Sequence, residues 1–419
     1  MSKYGTLKQN IGKLFKTGLF HIFGINVVNK VVAFLSSTLL VWILSKEEYG
    51  VFSYAWNIYH FLLLVNGLGL TVGALQLCSE NSDEEYCNLI FNNCLKLGLL
   101  IDFILTVAII VFSLCFPFAI PPARNLLLIL CALPVFQYLF DLLTVYLRVK
   151  KRNVAYAWTM MLNTVLTAVF TALGAFLFRG EGLIVGYYIS YCSTLFVGFF
   201  VFRFKVKDVM RTPKLVKSQL RTLFKISVIS MCTNALSQLL FLLDTFIIGV
   251  VCVDELLVAN YKVATMIPTA LLFIPSSMVI YIYPYFASHV GDGKWCLKKF
   301  FQVLLGMGLL NGIISVTLYF AAPFVIKLVY GKQYLDIVPV FRILVINFFV
   351  SGTFRSISGN IVCTQRKFVF SLVESIISGV VNVIADVFFI RQWGIIGAAY
   401  ATCLVVALSS VVCTIYLLI

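Results

Sequence analysis

Residues 19–44 read LFHIFGINVVNKVVAFLSSTLLVWIL, with one formal charge, Lys30, near the middle. About 20 apolar residues cross a bilayer as a helix, so this run is long enough to span one. An ammonium group at that depth costs at least ~2.5–3.5 kcal/mol on insertion scales. Three partners would offset that cost: a polar cavity, a partner carboxylate or an anionic ligand. The run predicts a membrane helix, and Lys30 predicts that the helix has a function beyond anchoring.

The rest of the chain repeats the pattern. Of its 419 residues, 61% are hydrophobic and 12% charged, and the mean hydropathy is +1.00. Soluble domains carry roughly 25% charged residues. An all-α polytopic membrane protein is therefore expected. The first run is too long for a signal h-region and no small-residue cleavage site follows it, so no cleavable signal is expected. Residues 1–18 put Leu7, Ile11, Leu14 and Phe15 on one helical face and most lysines elsewhere. They read either as a surface-lying amphipathic helix or as a basic tail that sets orientation. The twelve cysteines lie mostly in apolar runs, form no CxxC pair, and are accompanied by three scattered histidines. No metal, disulfide or other cofactor is expected from them.

Twelve apolar runs fall near 19–44, 50–76, 95–116, 124–147, 154–178, 183–203, 226–251, 259–287, 300–326, 337–361, 369–390 and 394–418. With the N-terminus inside, 22 Lys and Arg fall on the cytoplasmic side and 6 on the other, and 4 lie within the runs. The positive-inside rule then places both termini in the cytoplasm. The net charge of +15 is mostly topology and gives no reason to expect nucleic acid. The expected organisation is a basic cytoplasmic segment 1–18, a six-helix lobe 19–203, a basic linker 204–225 and a second six-helix lobe 226–419.

Internal similarity supports two lobes. Thr159, Asn163, Thr167 and Thr171 recur at spacing four, as do Glu374, Ser378, Asn382 and Asp386, 215 residues later. Lys46 to Tyr54 parallels Val253 to Tyr261 more weakly. An even number of crossings per half gives both halves the same orientation, with a binding site expected between them.

Polar stripes mark the inner walls. At 100° per residue, Asn26, Lys30 and Ser37 lie within about 40° of arc. Ser230, Asn234, Ser237 and Asp244 share a face, as do Ser351, Arg355 and Ser358. Ser, Thr and Asn stripes also join helices through simple hydrogen bonds. Ionisable groups inside the bilayer read as functional by default. Lys30 is too deep to snorkel easily. Lys262, Arg342 and Arg355 lie nearer helix ends, where snorkelling to the headgroups competes with a cavity role. Asp244 and Glu374 read as partners or as proton or cation sites. Asp102 and Asp141, close to the inner ends, read as solvated. A basic cavity wall suits an anion, since Lys and Arg give phosphate charge-assisted contacts.

Several of these segments resemble a known family. Leu44-Ser-Lys-Glu-Glu-Tyr-Gly-Val-Phe-Ser-Tyr-Ala-Trp56 is similar to the helix 1–2 signature of polysaccharide-biosynthesis flippases, the Wzx-type O-antigen and capsule exporters of the MATE-like MOP superfamily. Leu243 to Gly249, followed by Asn260-Tyr-Lys-Val-Ala264, resembles their helix 7–8 region. Pro323 to Gly331 with Arg342-Ile-Leu344 resembles their helix 9–10 connection. Gly394 to Thr402 resembles their last helix. The resemblance implies twelve helices in two lobes and movement of an undecaprenyl-diphosphate-linked oligosaccharide between leaflets of the bacterial inner membrane. It implies diphosphate attraction by cavity bases, here Lys30, Lys262, Arg342 and Arg355. Helix 1 carries Lys30 and no acid, unlike drug exporters of the superfamily whose first helix holds a cation-coupling Asp.

The expected function is thus a lipid-linked oligosaccharide flippase working by alternating access. Asn26, Asn163, Asn234 and Asn382 would line the glycan path, and Asp244 or Glu374 would couple a proton or sodium. The expected partners are the lipid-linked glycan, the bilayer, a polysaccharide polymerase and a chain-length regulator, around a monomeric transport unit. A multidrug or metabolite exporter of the same fold is the alternative, which would favour an acidic cavity. A membrane enzyme would need a catalytic constellation, often on a large loop, and the chain has neither clustered histidines nor such a loop.

Overall fold

The computed structural model describes residues 19–81, 83–202, 213–289, 292–365 and 368–418. The N-terminal segment 1–18 and residues 204–212 of the basic linker lie outside the described residues. Within them the chain is helical with no strand. Six helices are long and apolar enough to cross a bilayer, or eight if two bent helix pairs are each one span. The helices are α1 (Leu19–Ile43), α2 (Lys46–Leu63), α3 (Leu70–Glu80), α4 (Glu84–Cys115), α5 (Ala123–Leu130), α6 (Leu133–Val149), α7 (Asn153–Phe202), α8 (Lys217–Cys252), α9 (Glu255–Leu271), α10 (Phe273–Ala287), α11 (Gly293–Val329), α12 (Val338–Val350), α13 (Ser356–Thr364) and α14 (Phe368–Leu418).

The twelve runs do not return as twelve separate helices. α7 and α14 run 50 and 51 residues. A straight helix of that length would reach about 75 Å, far beyond a ~30 Å hydrocarbon core. Each instead folds back on itself, α7 at Phe178–Arg179 and α14 at Gly394. Arg179 takes φ 55°, ψ −138°, and Gly394 takes φ 56°, ψ −135°. Contacts across α7 pair Gly174 with Gly182, Phe170 with Gly186, and Thr167 with Ser190. Across α14, Phe389 meets Gly397 and the Phe370 and Tyr416 rings stack at 3.7 Å. Residue numbers rise on one arm as they fall on the other, which defines two antiparallel helical hairpins. Their starts and their reversal residues are both 215 positions apart, the offset already carried by the polar stripes.

α8 begins at Lys217, so residues 217–225 of the expected linker are helical. The compact units also cut across the expected lobes. The first takes residues 19–44, 58–118 and 122–235 of the described chain, and the second 45–57, 119–121 and 236–418.

In the first unit a core of Leu70, Ile90, Phe91, Cys94, Tyr138, Leu142 and Leu223 joins α3, α4, α6 and α8. Tyr138 is its hub. Its hydroxyl donates to the Cys94 carbonyl at 2.6 Å. A Cβ on Gly98 would sit 2.0 Å from its ring, and one on Gly67 2.3 Å. Gly67, at φ 51°, breaks the chain between α2 and α3 and donates its N–H to buried Asp102 at 2.8 Å. Asp102 is therefore a structural cap rather than a solvated acid. The Arg179 guanidinium donates to the Ile43 carbonyl at 2.9 Å and closes the C-terminus of α1.

In the second unit, 45–57 of α2 is held against α8, α9 and the short 3-10 turn Lys332–Ile337. Gly50 abuts the Glu255 carbonyl and Gly249 abuts the Tyr54 ring. Lys46 pairs with Asp336 at 2.8 Å, and Asn260 donates to the same carboxylate at 2.8 Å. Between α12 and α13 the chain makes one π-helical turn, Ser351–Arg355, a local irregularity frequent at functional sites.

Candidate functional site

The first polar stripe of α14 carries Glu374, Ser378, Asn382 and Asp386, one helical turn apart. Such spacing turns each about 40° from the last, and the last three are buried. The stripe faces α8 and α9, which supply Asp244 and Tyr261. The return arm of the α14 hairpin supplies Thr402. Tyr261 and Thr402 each donate a hydroxyl to Oδ2 of Asp244 at 2.7 Å. Asn382 and Asp386 come within hydrogen-bonding reach of Asp244.

This cluster has acceptors without donors. Asp386 is completely buried and Asp244 is 8% exposed. Oδ1 of Asp244 and both carboxylate oxygens of Asp386 lack a donor among the described residues. Buried polar atoms are nearly always satisfied, and two adjacent carboxylates repel strongly in a low-dielectric interior. Hydroxyl, amide and carboxylate oxygens are the ligand set of a hard cation. The arrangement fits a proton or a small hard cation, and no described base neutralises it.

Glu374 lies three turns away along the stripe. It accepts from Ser378 at 2.7 Å and from Ser409 across the hairpin. Both bonds fall on Oε1, and Glu374 is half-buried, unlike the buried Asp244–Asp386 pair.

The expected basic residues behave differently from one another. Lys30 is exposed on α1 and Lys262 is half-buried on α9, and neither has an ion-pair or hydrogen-bond partner among the described residues. Arg342 is committed to α11: its Nε donates to the Tyr319 carbonyl at 3.1 Å and its guanidinium lies 5.1 Å from the Tyr319 ring centroid. Arg355 ends the π-helical turn and is half-buried. Of the amides, Asn163 accepts from Thr194 at 3.1 Å inside the α7 hairpin, Asn234 is exposed on α8, and Asn382 joins the acid pair. The side chain of Asn26 lies outside the described residues.

Asp244 and Asn382 are thus brought together, with Asp386, Tyr261 and Thr402 completing the group. The latter two went unread as site residues. Tyr261 stands 17 positions after Asp244 and Thr402 returns through a hairpin, so no local spacing announces them.

Known proteins agree with this architecture. Residues 15–290 match the family described as polysaccharide biosynthesis protein. No curated protein sequence matches the chain. A multidrug-resistance MATE-family transporter of the MOP superfamily, solved inward-facing, superposes with a TM-score of 0.76 at 15% identity, covering 93% of each chain. The lipid II flippase MurJ, in an inward closed conformation, gives 0.71 at 16% identity, covering 95% of this chain and 87% of that one. A MOP-superfamily transporter from Pyrococcus furiosus, described as having a binding pocket of reversed polarity, gives 0.59 at 12% identity, covering 93% and 94%. The fold is that of multi-pass membrane transporters and flippases, and by its sequence the chain belongs to the polysaccharide biosynthesis protein family.

Proposed function

We propose that the chain flips undecaprenyl-diphosphate-linked oligosaccharide repeat units from the inner to the outer leaflet of the bacterial cytoplasmic membrane, by alternating access, for O-antigen or capsule assembly. The observation that carries this reading is the pair of unpartnered lysines, Lys30 and Lys262, in membrane helices of a polysaccharide-biosynthesis family member. An ammonium group without a counter-ion at such a depth is stabilised when an anion arrives, and a diphosphate offers several charged acceptors. The polyprenyl tail stays in lipid while the glycan crosses the polar interior. Arg342, held by Tyr319, contributes charge from a fixed position, and Arg355 contributes from the π-helical turn.

The driving ion binds at Asp244, Asp386, Asn382 and Thr402. Supplying a proton or sodium there compensates the donorless carboxylate oxygens, which links ion occupancy to the packing of α8, α9 and the α14 hairpin. Both termini lie in the cytoplasm, and polymerase and chain-length regulator act on the product at the outer face.

The test is complementation of a deletion strain. Lys30→Ala or Lys262→Ala should abolish surface glycan while leaving the protein level intact. Normal glycan display by both variants would overturn the diphosphate role. Drug sensitivity of the deletion strain with unchanged surface polysaccharide would point instead to an exporter of the same fold.

A further inference from the structure

We infer that the first unit holds a saccharide-binding subsite built from Gln137 and Asp141 of α6 with Asn163 and Tyr191 of α7. The inference rests on the flippase reading and specifies where its glycan is held.

Asp141 carries the argument. It stands one turn after Gln137 in an otherwise apolar segment, LPVFQYLFDLLTVYLRV, and its side chain is exposed. Its carboxylate makes no hydrogen bond or ion pair among the described residues. A lone acid on a membrane helix faces water or a ligand, since lipid would not tolerate it. Tyr191 lies within its electrostatic reach.

The neighbouring amides are held in set orientations. Tyr59 donates its hydroxyl to Oε1 of Gln137 at 2.8 Å, which turns Nε2 toward the Tyr191 hydroxyl 3.4 Å away. Thr194 donates to Oδ1 of Asn163, which leaves that amide nitrogen facing Tyr191 as well. Gln137 and Asn163 thus converge on the Tyr191 hydroxyl, each keeping a second amide N–H, with the Asp141 carboxylate nearby, the support that precise recognition requires. Tyr191 packs edge-on against Phe140 at 5.6 Å, which fixes its ring.

The chemistry selects the ligand class. A sugar hydroxyl donates and accepts at once. It can give its proton to Asp141 while accepting from an amide of Gln137 or Asn163, so vicinal hydroxyls suit this combination. The electron-rich face of a tyrosine attracts the C–H face of a pyranose. An organic cation would use the carboxylate and the rings but leave the second N–H of each amide without an acceptor, a mismatch that costs affinity.

The test uses the purified full chain in nanodiscs and saturation-transfer NMR. The probes are the repeat-unit oligosaccharide released from the host's own surface polysaccharide, glycan-free undecaprenyl diphosphate, and tetraphenylphosphonium. Asp141→Asn and Gln137→Leu should weaken oligosaccharide binding about tenfold or more and leave undecaprenyl diphosphate binding unchanged. Lys30→Ala should do the reverse. The Asp141 carboxylate makes no described hydrogen bond, so its amide variant should elute as the wild type does. Equal oligosaccharide binding by wild type and Asp141→Asn, or none by the wild type while undecaprenyl diphosphate still binds, overturns the subsite and leaves the flippase reading standing. Binding of neither probe overturns both. Tetraphenylphosphonium binding that depends on Asp141 overturns the saccharide assignment in favour of a cation site.

Discussion

Replacing Asp386 with Asn should make the protein more stable and less active. Asp386 is 0% exposed, and neither of its carboxylate oxygens has a donor among the described residues. Asp244 lies beside it with Oδ1 equally bare. An unsatisfied buried polar group costs about 1–3 kcal/mol, and more when charged. Where both carboxylates are ionised, the amide removes one formal charge from the pair and offers an N–H to Oδ1 of Asp244, so a gain of about 1–3 kcal/mol is expected in sodium-free buffer at a pH high enough to charge both acids. In the wild type a bound ion supplies the same compensation by mass action, about 2.7 kcal/mol at an ion concentration 100 times Kd. The assay is thermal unfolding of detergent-solubilised protein in matched NaCl, KCl and choline chloride, repeated at low pH and at that higher pH. The wild-type Tm should rise with sodium, or with acid if the ion is a proton. Asp386→Asn should start higher and lose that response, and it should fail to complement glycan display. A variant that melts lower than the wild type in every buffer, or that keeps a wild-type ion response, would refute the charge-compensation argument.

Other outcomes follow from the same geometry. Gly249→Ala places a methyl 2.2 Å from the Tyr54 ring; overpacking of this kind costs about 1–3 kcal/mol, visible as a lower Tm with any ion. Arg342→Ala should lower thermal stability along with glycan display, because it removes the bond and stacking to Tyr319, whereas Lys30→Ala should lower display alone. A double-mutant cycle on Lys46 and Asp336 should return a coupling of under about 1 kcal/mol in unfolding measurements, since the Asp336 side chain is 52% exposed.

Much of this fold was legible because membrane helices announce themselves one at a time. Lys30 in its apolar run and the i, i+4 stripe from Glu374 to Asp386 sit in local spacing, and the 215-residue offset is read by comparing the two halves. The helical hairpins were not legible as such: a break at Arg179 or Gly394 looks like any short gap between crossings, and the close return is visible only once Gly174 meets Gly182 and Phe389 meets Gly397. The acid pair was half legible. Asp244 stood out by charge, but its donors come from α9 and from the far arm of α14. Asp141 was read as solvated from its distance to the inner helix end; its surroundings on α7 are set by tertiary packing that no spacing on α6 reveals.

The two hairpins also bear on how such a chain enters a membrane. Asn163 with Thr194 and Thr167 with Ser190 are pairs within the first hairpin, and Glu374 with Ser378 and Ser409 is a group within the second. These polar side chains find their partners on the adjoining arm of the same 50-residue segment. A hairpin released into lipid as one piece therefore needs no later helix to shield them. Asp244, whose donors come from Tyr261 and Thr402, has no such arrangement. Its first donor comes with α9, the next helix, and its second only with the α14 hairpin, so the acid pair is completed late in biogenesis.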